Sequence, residues 1–294
     1  MAKTAQTAVA LGMFDGVHIG HRALIAHLTE EAKKRRAEPV VCTFSNHPMD
    51  VLGNGAKLLT GVKERNAILR SLGVSEVCSE PFTERIAALS PEAFADELCR
   101  QRDVRLVAVG YNYSFGAGGR GTPETLARLG EERGFSVDVI PPVLCEGEPV
   151  SSTRIRRAIE AGDVEQAAAM LGRRYSLSGR VVKNRRIGRR IGFPTANIEL
   201  DPRRVLPKIG VYATYTYVGG AAYRSITNIG TNPTVGGERL TIETHLLGFD
   251  EDVYGKDMTV AFRFFIRGER TFESVDALRG QIERDAALAA SVRA

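Results

Sequence analysis

Gly12-Met13-Phe14-Asp15-Gly16-Val17-His18-Ile19-Gly20-His21 ends a short apolar run and opens a helical one. The order is strand, tight turn, helix. Phe14 and Val17 give the turn apolar anchors, while Gly12, Gly16 and Gly20 let the backbone bend and come close to a ligand. A helix read over Gly20–Arg36 aims its amide dipoles at whatever occupies the turn, and that geometry favours phosphate. His18 and His21 lie three apart at the helix start, where two imidazoles can donate hydrogen bonds to a phosphate gaining charge in a transition state. On the H-x-G-H core alone, two exposed helix-start histidines beside an ordinary turn remain an alternative.

Outward from this stretch, 294 residues with 43% hydrophobic composition allow two well-filled domains. The first residues, MAKTAQTAVALG, contain no apolar segment of signal length, and no run reaches the about 18 apolar residues of a membrane span. A cytoplasmic protein is expected. Cys42, Cys78, Cys99 and Cys145 are far apart in sequence and form no C-x-x-C pair, so they read as reduced packing thiols rather than a zinc or dithiol motif. Acids and bases balance through residue 178, so the net charge of +5 belongs to the remainder. There Arg180, Lys183, Arg185, Arg186, Arg189 and Arg190 form a basic run without an acid. Such a run serves nucleotide phosphates, nucleic acid or a solvated loop, and charge alone favours the loop.

The first half alternates. Strands are expected over Thr7–Phe14, Pro39–Phe44, Glu76–Phe82, Arg105–Gly110 and Ser136–Pro141, with helices over Gly20–Arg36, Lys63–Gly73, Pro91–Arg102 and Pro123–Arg133. This pattern predicts βαβ units and a mainly parallel sheet, whose ligands bind beyond the carboxyl ends of the strands. The unusual sequences fall at such ends. Ser45-Asn46-His47-Pro48 follows the second strand, and Gly110-Tyr111-Asn112-Tyr113-Ser114-Phe115-Gly116 follows a later one, with the glycines of Gly116–Gly121 predicting a mobile loop. Ser151-Ser152-Thr153-Arg154-Ile155-Arg156 then offers N-cap hydroxyls and places two arginines at a helix start, where cations are disfavoured unless an anion is bound.

After a helical connector over Ala158–Arg173 the texture becomes β-rich: Tyr175–Val182, Val211–Val218, Tyr223–Asn228, Thr241–Leu247 and Met258–Arg267. Such strands imply a compact antiparallel barrel, covered by an amphipathic helix over Val275–Ala290. Gly192-Phe193-Pro194-Thr195-Ala196-Asn197 sits between basic run and barrel, with Gly188 and Gly192 able to fold a loop over phosphates. In Thr241-Ile242-Glu243-Thr244-His245, alternation puts Thr241, Glu243 and His245 on one face. His245 reads as structural. Asn228-Ile-Gly-Thr-Asn-Pro-Thr234 reads as a turn-rich loop, and Arg267-Gly-Glu269-Arg-Thr-Phe272 leads into the last helix.

The string G-x-F-D-G-V-H-x-G-H, paired with S-S-T-R-I-R and followed by G-F-P-T-A-N, resembles the prokaryotic bifunctional riboflavin kinase/FAD synthetases over almost the whole chain. The resemblance implies an α/β chain: a Rossmann-like nucleotidylyltransferase domain with a parallel sheet over residues 1–174, and an antiparallel β-barrel riboflavin kinase domain with a terminal helix over 175–294. It implies phosphorylation of riboflavin to FMN and adenylylation of FMN to FAD with release of pyrophosphate. For the adenylyl site it implies catalysis by His18 and His21 on the triphosphate and by Arg154 and Arg156 on the leaving group. Gly12, Phe14, Asp15, Gly20, His47 and Asn112, with Ser151, Ser152 and Thr153, would bind ATP and FMN. For the kinase it implies Glu243 as general base, Thr195 and Asn197 as oxygen ligands of Mg²⁺, and Lys183, Gly188, Gly192, Phe193, Pro194, Asn228 and Arg267 as ATP and flavin contacts.

The chain departs from the family pattern at Ser45-Asn46, at Asn112-Tyr113 in place of Asp-Phe, and at Lys183-Asn184 in place of His-Gly. A second reading therefore keeps the kinase and makes the transferase weak or inactive. A third, a nucleic-acid-binding protein using the basic run, explains none of the motifs. Expected partners are riboflavin, FMN and ATP with Mg²⁺, with no nucleic acid, no membrane and at most a weak homo-oligomer.

Overall fold

The computed structural model describes residues 5–53, 55–182, 192–234 and 237–291, with backbone alone at 232–234 and 237–239. The chain divides into two compact units, Met1–Ser152 and Thr153–Ala294. The elements of the first are β1 (Gln6–Leu11), α1 (Ile19–Arg35), β2 (Glu38–Phe44), α2 (Pro48–Leu52), α3 (Val62–Ser71), β3 (Glu76–Glu80), α4 (Glu84–Ala87), α5 (Pro91–Gln101), β4 (Asp103–Gly110), α6 (Pro123–Arg133), β5 (Ser136–Ile140) and the short hairpin β6 (Leu144–Cys145) and β7 (Glu148–Pro149). α7 (Ser152–Ala161) follows.

The sheet has the order β3-β2-β1-β4-β5, and its pairings are parallel. β1 is central and fully buried from Ala8 to Leu11 because alternate side chains enter two different cores. Ala8 and Ala10 pack with Leu24, Ile25 and Leu28 of α1 and Leu69 of α3, whereas Val9 and Leu11 pack with Leu98 of α5 and Leu126 and Leu129 of α6. A strand covered on both sides reads as an apolar run rather than an alternation. The chain leaves β1 toward β2 on one side, while β4 pairs on the other. The carboxyl ends of β1 and β4 therefore flank a topological switch point, where open α/β sheets form their ligand crevice. Gly12–His18 and Gly110–Gly121 are the segments that leave those two ends.

The second unit contains α8 (Val164–Leu171), β8 (Ser176–Val182), β9 (Ala196–Ile198), β10 (Gly210–Val218), β11 (Ala221–Thr234), β12 (Gly237–Leu246), β13 (Asp257–Arg267) and α9 (Val275–Ser291). Six strands close a barrel in the order β10-β11-β12-β9-β8-β13, with antiparallel pairings. Its interior carries a chain of hydroxyls, all fully buried: Thr216 to Ser225 (2.7 Å), Ser225 to Thr214 (2.8 Å), Thr214 to Thr227 (2.8 Å) and Thr227 to Thr244 (3.0 Å). Each buried hydroxyl has a partner, so the polar core escapes the penalty of unsatisfied groups. Outside, Ala286 and Ala289 of α9 pack on Ala213, Ile226 and Phe264, covering part of the outer wall as expected of an amphipathic last helix.

Two local expectations change. The segment Asn228–Thr234 is strand rather than turn-rich loop, because β11 keeps pairing with β12 through Gly230–Thr241 and Pro233–Glu238. Continued cross-strand pairing outweighs the local turn chemistry of Gly, Asn and Pro. The Gly116–Gly121 segment, expected to be a mobile loop, is closed at its base: Phe115 and Gly121 exchange two backbone hydrogen bonds of 3.1 and 2.9 Å, and Ala117 N donates to Leu89 O.

Candidate active sites

The turn after β1 is built on strained backbone. Phe14 and Val17 adopt φ of +52° and +40°, in the left-handed region that side chains avoid, and both rings and branches are buried. Surrounding bonds hold them there. The buried Asp15 carboxylate accepts from Leu59 N (3.0 Å) and Thr60 N (3.1 Å), Thr60 Oγ1 accepts from Gly16 N (3.1 Å), and Ser152 Oγ donates to Asp15 O (2.9 Å). Asp15, expected among the nucleotide contacts, thus fastens the turn to the segment preceding α3.

His18 is the N-cap of α1, and its Nδ1 accepts from His21 N at 3.3 Å, leaving Nε2 as the protonated nitrogen in the neutral ring. His18 and His21 stack with centroids 3.6 Å apart, and Phe14 meets the edge of His21 at 5.2 Å. Burial first, and the neighbouring His18 second, hold the His21 pKa well below 6.5, so His21 is neutral at pH 7. Its Nδ1 is buried without a hydrogen-bond partner among the described residues. Gly20 makes the stack possible. A Cβ there would lie 3.2 Å from the His18 ring.

His47 caps α2, accepting from Met49 N at Nδ1 (3.1 Å), and Asp50 returns the contact to His47 N (3.1 Å). The departure at Asn46 has a local cause: its amide donates to Phe82 O (3.0 Å) and accepts from Phe82 N (2.6 Å), joining the ends of β2 and β3. Asn112 is exposed beyond β4. Ser151 is half-buried and Thr153 exposed; Arg154 and Arg156 are half-buried on α7 around the buried Ile155.

Sequence reasoning missed Arg65. It is 2% exposed and ties the carboxyl ends of the strands together, donating to Met13 O (3.1 Å), Phe44 O (2.6 Å) and Ser79 Oγ (3.2 Å). Its signal was a cation on the apolar stripe of α3, four residues before the buried Leu69.

In the barrel, Asn228, Glu243 and Asn197 form one row across β11, β12 and β9: Glu243 is the register partner of both asparagines. Directly opposed residues share a face, so the three side chains stand together on the outer wall while Ile242, Thr244 and Leu246 fill the barrel. The G-F-P-T-A-N segment is docked beside them. His245 Nδ1 donates to Pro194 O (2.8 Å), and Phe193 packs edge-on against the His245 ring at 5.3 Å. His245 thus ties the G-F-P-T-A-N segment to β12.

Gly192 adopts φ of +88°, and a Cβ there would lie 3.2 Å from Arg279 Nη2 of α9. A Cβ at Gly230 would meet Glu269 Oε1 at closer than any contact distance, and Asn228 Nδ2 at 3.0 Å, which draws Glu269 into the same group. Arg267 is held by Asp285 of α9 through bonds of 2.8 and 3.0 Å, with both side chains largely buried. Asp285 was not foreseen. An acid in an amphipathic helix reads as solvated until its strand partner is known. Lys183 and Gly188, with most of the basic run, lie outside the described residues.

The first unit thus presents a helix-start histidine pair at a sheet switch point, and the second an acid flanked by amides on a barrel wall. The family model for FAD synthetase matches residues 1–154, and that for riboflavin kinase matches 171–292. The bifunctional riboflavin kinase/FMN adenylyltransferase of Listeria monocytogenes is 36% identical over 94% of this chain and 89% of its own length. That of Escherichia coli K12 is 39% identical over 94% and 90%.

This chain belongs to the bifunctional riboflavin kinase/FMN adenylyltransferase family. The family assignment accounts for both sites in one polypeptide. A crystal structure of a macrolide-efflux protein from Streptococcus pneumoniae has the same fold across 98% of this chain and 95% of that one, with a TM-score of 0.92 at 31% identity. Among the described residues of this family member, no helix is long and apolar enough to cross a membrane.

Proposed function

We propose that this chain makes FMN from riboflavin and ATP on its barrel, and FAD from FMN and a second ATP on its parallel-sheet unit. The observation that carries the reading is the presence of two sites of different build. One has a glutamate in register between two asparagines on a barrel wall; the other has stacked imidazoles at a helix N-terminus beside an aspartate bonded to backbone amides.

Phosphorylation of an alcohol needs a base. Glu243 takes the proton of the riboflavin 5′-hydroxyl as that oxygen attacks the γ-phosphate, while Asn228 and Asn197 orient the reacting groups. Adenylyl transfer needs none, because the FMN phosphate is already ionised near neutral pH. Catalysis there consists of holding two anions together and stabilising charge as the α-phosphate is attacked and pyrophosphate leaves. His18 presents Nε2–H, His21 acts beside it on the triphosphate, and Arg154 and Arg156 serve the leaving group. His47, Asn112 and the helix-start hydroxyls complete the nucleotide contacts.

The donor set near Glu243 fits Mg²⁺: Asn197 and Thr195 offer neutral oxygens of the hard kind this ion takes alongside phosphates. When bound, Mg²⁺ supplies neutralisation of phosphate charge. The domain division proposed is 1–174 and 175–294, and the proposed setting is cytoplasmic. Supplying FMN and ATP directly tests the two-activity reading. FAD formed at a rate comparable to FMN formation supports it, and absence of FAD leaves the kinase alone.

A further inference from the structure

Cys42 and Cys78 are distant in sequence, but the fold makes them register partners on the neighbouring parallel strands β2 and β3. Both side chains pack on the same core, against α5, and both are half-buried free thiols. Residues paired this way have Cα atoms about 4.7–4.9 Å apart, inside the about 4.4–6.8 Å range that a disulfide spans. Bonded Cβ atoms lie closer, at about 3.5–4.5 Å, so closing the bond draws the strands slightly together. β3 can yield. It is a five-residue strand at the edge of the sheet, with β2 as its sheet neighbour.

The surroundings of the pair are polar rather than inert. Arg102, at the end of α5, donates from Nη2 to Cys78 Sγ at 2.7 Å and grips Glu76 through bonds of 2.8 and 2.7 Å. Cys78 Sγ also lies 3.0 Å from Glu76 Oε1. The neighbouring Cys78 thiol first, and the Arg102 charge after it, hold the Cys42 pKa below its ordinary value, while the same proximity and burial push Cys78 up. Of the two sulfurs, Cys42 is thus the more readily deprotonated. None of Cys42, Cys78, Glu76 and Arg102 has a part in either transfer reaction above.

We infer that Cys42 and Cys78 form a reversible oxidation site for peroxides, closing to an intramolecular disulfide. The Cys42 thiolate attacks one oxygen of hydrogen peroxide, breaking the O–O bond and leaving sulfenic acid and, after proton uptake, water. The Cys78 sulfur then attacks the sulfenic sulfur. The S–S bond forms, the S–OH bond breaks, and a second water departs with the Cys78 proton. Two thiols have lost two electrons to one peroxide.

The test uses the full wild-type chain, treated with a graded series of hydrogen peroxide concentrations and analysed by intact mass and by peptide mapping under non-reducing conditions. The expected result is loss of two hydrogens, a single cross-linked peptide pair joining Cys42 to Cys78, reversal by dithiothreitol, and Cys99 and Cys145 unlinked at the same dose. Stepwise addition of oxygens to either thiol without a cross-link would overturn the inference, as would a cross-link involving Cys99, Cys145 or a second chain. An Arg102→Gln variant provides a second reading that leaves both thiols in place. The cross-link should form at least several-fold more slowly, and an unchanged rate counts against the assigned environment.

Discussion

Glu243 of β12 and Asn197 of β9 are direct cross-strand partners, and the same glutamate is the partner of Asn228 on its other side. A glutamate in register between two asparagines is positioned by the sheet rather than by a loop, and a rigid strand is what keeps a general base aimed. Glu243→Gln keeps the size of the side chain but removes the proposed base. FMN formation should fall by about 10²–10⁴-fold, with FMN-to-FAD conversion unchanged when FMN is supplied. Separate assays of the two steps check this, and equal loss of both would contradict two independent sites.

At the other site, Gly20→Ala separates activity from stability. Alanine is the better helix former by about 1 kcal/mol, but its Cβ would sit 3.2 Å from the His18 ring. FAD formation should drop by roughly 10–100-fold, the cost of shifting a positioned group by a fraction of an ångström. Urea unfolding of the variant should show no matching loss of stability.

His21 gives the pH dependence. Its folded pKa lies well below 6.5 because the ring is buried and faces His18, so between that value and 6.5 the unfolded chain binds the extra proton. Stability is then complete above 6.5 and declines as pH falls through the window. An NMR titration of the ring in the full chain should show the midpoint well under 6.5, and a midpoint at or above 6.5 contradicts the burial argument. His21→Gln should flatten the acid side of the stability profile.

The architecture was legible where the chemistry is local. The β1–turn–α1 unit announces itself by an apolar run, glycines and helix-start histidines, and the alternation of strands and helices carries the parallel sheet. Other features depend on partners that sequence does not display. Asn228–Thr234 looks like a turn until β12 pairs with it, and Arg65 and Asp285 look like surface charges until their carbonyl and guanidinium partners come from other elements. Asp15 reads as a ligand contact because it lies inside the motif, yet its carboxylate caps the backbone of Leu59 and Thr60.

The Arg267–Asp285 pair joins β13 to α9 with side-chain exposures of 11% and 3%. Arg267→Met should lower the stability of the second unit by about 3–5 kcal/mol, because it leaves a buried carboxylate without its cation. Adding Asp285→Leu should restore much of the loss. Thermal unfolding of the single and double variants measures both, and a single variant as stable as the wild type would show that the pair does not secure α9.

One chain is proposed to perform two successive transfers at separate sites. A product time course starting from riboflavin, excess ATP and Mg²⁺ tests it most directly, with both flavin nucleotides resolved at each point. FMN should appear first and FAD follow, with His21→Ala stopping the course at FMN. Formation of neither product, or FAD formation that survives His21→Ala undiminished, would contradict it.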